Sequence, residues 1–295
     1  MIDFWILLTG SLVAACCAVL GAFLILRRMA LIGDAISHSV LPGIVIAFLV
    51  SGTRDSLFML LGASVLGLVT VFLIQWFHQS GVQSDASIGV VFTALFAVGV
   101  VLVSMNARQV DLDLDCVLYG EIAYVHWNTI TLFGIDAVPK AVWLLGFTLL
   151  IVTAVVSLFY KQFKLCAFDP ALAAAVGIPV ALFHYLLMGM VSMATVSSFE
   201  SVGAILVVGM LVIPASTAYL LTERLGVMIG LSVAVGVAST VIGYYMAVLL
   251  DASIAGSMVT VALALFVLTF LLSPSQGLLP RYIRRHRAAI EHAAA

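Results

Sequence analysis

The sequence predicts an all-α integral membrane protein, a polytopic bundle of about nine transmembrane helices with eight and ten as the bounds. Three observations predict it. Of the 295 residues, 64% are hydrophobic and 9% are charged, where soluble domains carry about 25% charged residues. Apolar runs long enough to cross a bilayer, which takes about 20 residues each, recur along the whole chain. The polar breaks between them are short, so no stretch is left for a large soluble domain. A net charge of −2, with no basic run before the last fifteen residues, argues against a nucleic-acid partner.

The runs fall at 4–26, 30–50, 57–77, 86–104, 139–160, 178–198, 201–221, 226–250 and 253–272. The first has no Lys or Arg in its opening 26 residues. A secretory signal begins with a positive region, so this run is expected to be a retained span. Small residues recur every four positions in the first run (Gly10, Ala14, Ala18, Ala22) and the eighth (Gly226, Gly230, Ala234, Ala238). Such stripes let helix backbones approach closely in lipid, within one subunit or between two. Cys16, Cys17, Cys116 and Cys166 show no metal or disulfide spacing and read as packing residues.

The second run carries the chemistry. Asp34 and His38 stand four residues apart and share one face of a helix. They lie six and ten residues beyond Arg28, roughly 9–15 Å into the membrane at 1.5 Å per residue. Ionisable groups are costly there and by default face a cavity or a partner. Pro42 lacks an N–H and so releases the carbonyl of His38. Carboxylate, imidazole and carbonyl together suit Mn²⁺, Fe²⁺ or Zn²⁺ better than Ca²⁺. A structural Asp–His hydrogen bond and a proton relay are the alternatives.

Between the fifth and sixth runs, Asp169 is placed to cap a helix with Pro170 in its first position. Gly177 suits the left-handed position after its end, and Pro179 stops continuation. These signals predict a short isolated helix over about 169–177 with a small-residue face, including Ala173, for a partner to clasp. His184 in the sixth run and Asp251 closing the eighth read as packing or capping groups. Glu200, between the sixth and seventh, reads as a helix cap or a group lining an outer vestibule. The acidic stretch Asp111, Asp113, Asp115 and Glu121 reads as a solvated loop or a cation-attracting one.

Cytoplasmic loops collect Lys and Arg. With the N-terminus outside, nine of the twelve basic residues fall inside: Arg27, Arg28, Lys161, Lys164, Arg224, Arg281, Arg284, Arg285 and Arg287. Residues 1–277 are therefore expected to form the membrane domain and 278–295 a basic cytoplasmic tail. No phosphate-cradling GxxxxGK[ST] loop, HExxH or GxSxG occurs, so the chain is expected to be neither an ATPase nor a protease of those types.

The stretch from Arg28 through Gly33, Asp34, Ser37 and His38 to Pro42 and Gly43 resembles the signature of the metal-type ABC importer permeases, the manganese, zinc and iron family. Further matches are Asp85-Ala-Ser-Ile-Gly89, Leu118-Tyr-Gly120-Glu-Ile-Ala-Tyr124, Phe168-Asp169-Pro170 through Gly177, and Gly203 through Pro214 to Ala218. The resemblance implies a type II-like importer permease in a bacterial cell membrane. It implies a second permease copy, identical or paralogous, two cytoplasmic ATPase subunits and an outer metal-binding protein. It further implies Asp34 and His38 as metal ligands; Glu200, from its position in the sequence and not from the resemblance, is a further candidate. Asp169, Pro170, Ala173 and Gly177 become the coupling helix. No tightly bound cofactor is implied, the metal being cargo, and the manganese/iron branch is favoured. Ala171 stands where that family often has an acidic residue. A proton-coupled secondary transporter relaying through Asp34, His38 and Glu200 is the runner-up.

Overall fold

The computed structural model describes residues 2–51, 56–105, 122–127, 129–132 and 135–273. The acidic stretch Asp111–Glu121, Cys116 and the basic tail 278–295 lie outside the described residues. In chain order the helices are α1 (Ile2–Leu26), α2 (Ala30–Ser51), α3 (Ser56–Gln79), α4 (Ser84–Met105), α5 (Lys140–Leu158), α6 (Tyr160–Phe168), α7 (Pro170–Ala175), α8 (Val180–Leu221), α9 (Leu225–Leu250) and α10 (Ile254–Leu272). Among the described residues nine spans are long and apolar enough to cross a membrane, α8 supplying two of them.

Helix α8 is 42 residues long but breaks at Gly203, whose φ of 78° and ψ of 167° lie in a region essentially reserved for glycine. Leu26 shows what the break does. It lines one crevice with Val180 and His184, and another with Tyr219 and Thr222. Both ends of α8 therefore lie at the same face of the bundle as the end of α1, and the two halves run antiparallel. Ser273 Oγ donates to the Leu220 carbonyl at 2.6 Å, tying the end of α10 to that face. Tyr244 Oη donates to Asp3 Oδ1 at 2.6 Å, joining the end of α9 to the start of α1 at the opposite face.

The core is built on α1 and α8. Helix α1 packs on α8, α9 and α5, while α2 and α3 lean on α8 and carry α4 at the periphery. The small-residue stripe of α1 is buried as expected: a Cβ on Gly10 would meet Thr240, and Gly236 faces Ala14. The stripe singled out in the eighth span is not its partner. Gly226, Gly230 and Ala234 face outward, and α9 meets α1 through a face containing Gly236, Thr240 and Gly243. Cys16, Cys17 and Cys166 are free and buried, as packing residues should be.

Two elements go beyond the sequence reading. Thr129–Leu132 (β1) and Ile135–Pro139 (β2) pair antiparallel, with Thr129 opposite Pro139 and Ile130 opposite Val138. A lone hairpin is marginal in water, and this one packs on α5 and on the 3₁₀ turn Ile122–Trp127. The predicted isolated helix is also not isolated. Helix α6 precedes it directly and is anchored by Phe163, whose ring lies 5.7 Å from that of Phe23 and 5.3 Å from that of Phe183.

Candidate functional site

Asp34 and His38 lie on α2, as their spacing requires. The imidazole Nε2 of His38 stands 3.5 Å from Asp34 Oδ1, and the two side chains keep 32% and 41% exposure respectively. The pair is half-open because small or tightly packed neighbours hold α2 on its other faces. Gly33 meets the Leu211 side chain, Ser37 Oγ donates to the Gly33 carbonyl at 2.9 Å, and Thr70 Oγ1 donates to Ser39 Oγ at 2.8 Å.

Helix α4 completes the surroundings. Phe92 and Phe96, four apart on one face, place their rings 5.9 and 6.0 Å from the His38 imidazole. The sequence reading missed both. A four-residue aromatic spacing in the fourth apolar run was the available signal, but in an all-apolar helix it does not say which face is packed. Among the described residues no third His, Cys, Asp or Glu joins the pair. Chemically the arrangement offers one carboxylate and one imidazole per chain, which is an incomplete shell for a transition-metal ion. Glu200 is in α8, three residues before the break at Gly203; its side chain lies outside the described residues.

The capped helix forms as its termini dictate. Asp169 Oδ1 accepts the Leu172 N–H at 2.9 Å, with Pro170 in the first position. At the other end Gly177 has φ +86°. The N–H groups of Gly177 and Ile178 donate to the carbonyls of Ala174 and Ala173 respectively, both at 3.0 Å, the five-to-two and six-to-one bonds of a Schellman end. One expectation is corrected. Ala173 is fully buried, because α7 folds back along α6 and α8 and turns that side inward. The small residues Ala171, Ala174 and Ala175 are exposed as expected, and beside them Leu172, Val176 and Phe168 at the end of α6 are exposed as well.

Residues 2–273 match the ABC 3 transport family. The chain is 51% identical to the manganese transport system membrane protein MntD of Bacillus subtilis, over 95% of each chain. It is 39% identical to the zinc transport system membrane protein TroD of Treponema pallidum, over 94% of this chain and 75% of that one. Among solved structures it superposes on PsaBC from Streptococcus pneumoniae, solved in complex with a Fab, with a TM-score of 0.78 and 31% identity over 95% of this chain and 94% of that one.

The chain belongs to the ABC 3 transport family. It is a multi-pass membrane permease subunit of an ABC transporter rather than an enzyme.

In this ABC 3 permease two features stand at the surface of the described chain, the half-exposed carboxylate of Asp34 and the exposed apolar residues around α7. The first is costly against lipid. The second is an apolar patch at the bundle face that carries Leu26 and Arg28.

Proposed function

We propose that this chain is the permease of a manganese importer, with Zn²⁺ and Fe²⁺ as lesser cargo, and that Asp34 and His38 bind the ion in transit. The observation that carries the reading is the Asp34–His38 pair, 3.5 Å apart and open on one side, in a chain half-identical to a manganese transport system membrane protein. A two-fold axis with a second permease copy doubles the pair to two carboxylates and two imidazoles. Carbonyls or waters complete a six-coordinate Mn²⁺. A shell shared in this way releases its ion more readily than a dedicated four-ligand Zn²⁺ site, as transit requires.

The face bearing Arg27, Arg28, Lys161, Lys164 and Arg224 is the cytoplasmic one on this reading, since basic residues mark the inside. Cytoplasmic ATPase subunits then meet α7, held at Asp169, Pro170 and Gly177, through the exposed Leu172, its C-cap Val176 and Phe168 at the end of α6. A metal-binding protein delivers the ion at the opposite face, where β1 and β2 lie. The test is uptake of radiolabelled Mn²⁺ by cells expressing the complete importer, with unlabelled Mn²⁺, Zn²⁺ and Fe²⁺ as competitors. Strongest competition by Mn²⁺ is expected. Uptake that is indifferent to all three metals overturns the proposal.

A further inference from the structure

The bundle face with the α1–α2 turn holds a second, unassigned feature, a cavity of about 770 Å³. That is within the range, about 300–1,000 Å³, of pockets that take a whole small molecule. The ends of α1, α3 and α6 and the starts of α2, α4 and α8 line it, and neither Asp34 nor His38 is among the lining residues. Its charged lining is two arginines, Arg27 and Arg28, beside the imidazoles of His78 and His184 and the neutral polar Gln75, Gln79, Ser84 and Tyr185, with no Asp or Glu among the described residues. The two guanidinium charges favour an anion over a cation in this space.

Arg27 is the key residue. Its Nη1 donates to His184 Nδ1 at 3.5 Å, which makes His184 the neutral tautomer carrying its proton on Nε2. Nε and Nη2 of Arg27 and Nε2 of His184 are buried with no partner among the described residues. The three orphaned groups are thus all donors. The Nε–Nη2 edge of a guanidinium is a two-pronged donor that matches a pair of oxygens on one anion. Burial pushes the Arg27 pKa down, against a smaller upward pull from Cys166. Arg28 adds a second sign. It closes α1 in the left-handed conformation, φ 57°, which glycine fills at least cost, and an arginine there keeps its charge at the cavity mouth. The nearest acidic groups in sequence, Asp85 and Asp169, do not line the cavity, and Asp169 is engaged with Leu172.

We infer that this cavity is a binding site for the phosphate of an anionic phospholipid, with Arg27 and His184 donating to it and Arg28 and His78 at its rim. The walls decide for lipid over a free ion. Leu26, Ile32, Ile74 and Val180, from the terminal turns of membrane helices, line the same space. An apolar wall beneath a basic rim at the membrane boundary fits a glycerophosphate headgroup with the first methylenes of its chains, as basic pockets between transmembrane helices do. Cys166, Ala167 and Pro170 also line the cavity, so its occupant touches the segment that leads into α7.

The test uses the full chain purified in detergent, offered phosphatidylglycerol or phosphatidylcholine with the same acyl chains, and native mass spectrometry to count retained lipid. Phosphatidylglycerol is expected to be retained at least about fivefold over phosphatidylcholine, and Arg27→Gln to cut that retention roughly tenfold, the loss expected for a charge-assisted bidentate contact. Arg28→Gln and His78→Gln, on exposed side chains, are each expected to weaken retention about threefold, and they carry the test if Arg27→Gln does not fold. Equal retention of the two lipids, or no change in any variant, overturns the inference. So does protection from thermal unfolding by inorganic phosphate where phosphatidylglycerol gives none, which assigns the cavity to a free anion. Loss of ATPase co-purification in Arg27→Gln with no lipid retained by the parent also overturns it, assigning the cavity to an acidic segment of that subunit.

Discussion

Gly99 of α4 lies directly against the ring of Pro42 in α2. A Cβ at Gly99 would stand 2.7 Å from Pro42 Cδ and 3.0 Å from its nitrogen, closer than real Cβ contacts come, and the proline ring cannot rotate aside. The missing side chain brings α4 close enough for Phe92 and Phe96 to flank His38. Gly99→Ala is expected to destabilise the permease by about 1–3 kcal/mol, the usual cost of overpacking, and to lower metal uptake by shifting the rings. Thermal melting in detergent and an uptake assay check both. An unchanged melting temperature would show that the α2–α4 seam is loose.

Asp34→Asn preserves shape and removes charge. It is expected to reduce Mn²⁺ uptake to background while expression and melting temperature stay at the parental level, and His38→Ala is expected to do the same. Two variants that both import at the parental rate would reduce the pair to a structural hydrogen bond and move the search to Glu200.

Leu172 and Ala173 are adjacent, yet one is exposed and the other buried, so substitutions at the two positions should separate docking from folding. Leu172→Asp is expected to change stability by no more than about 0.5 kcal/mol, as exposed substitutions do, and to abolish co-purification with the ATPase subunit. Ala173→Leu is expected to cost about 1–3 kcal/mol through overpacking. Normal ATPase binding by Leu172→Asp would make α7 a connector.

Gly203 reverses the chain between two spans in a conformation that other residues pay heavily to adopt. Gly203→Ala is expected to cost about 1–3 kcal/mol, seen as lower yield of folded protein and a lower melting temperature. Parental stability would mean that α8 reverses by a different geometry.

For orientation, single cysteines at Ser80 and Ser51 are expected to react with membrane-impermeant reagents from the cytoplasmic and outer sides respectively. The opposite pattern would invert the assignment and move α7 away from the ATPase.

What the sequence determined by itself is what depends on residues a few positions apart. The nine spans follow from the length of apolar runs, and the shared face of Asp34 and His38 follows from 3.6 residues per turn. Asp169 and Gly177 closed their helix as expected, because a cap satisfies backbone groups within one turn. Tertiary structure alone decided which way each face turns. In a lipid-embedded helix the packed and the lipid-facing sides are equally apolar, so hydrophobic periodicity loses the signal it carries in water. Ala173, outside the membrane spans, was expected outside because no local signal shows that α7 folds back along α6 and α8. The stripe at Gly226, Gly230 and Ala234 was legible as a stripe but not as an outward-facing one, since both sides of that helix are apolar. Phe92 and Phe96 were invisible as neighbours of His38 for the same reason. Arg27 and His184 are 157 positions apart, and only the packing of α1 against a reversed α8 brings the guanidinium to the imidazole.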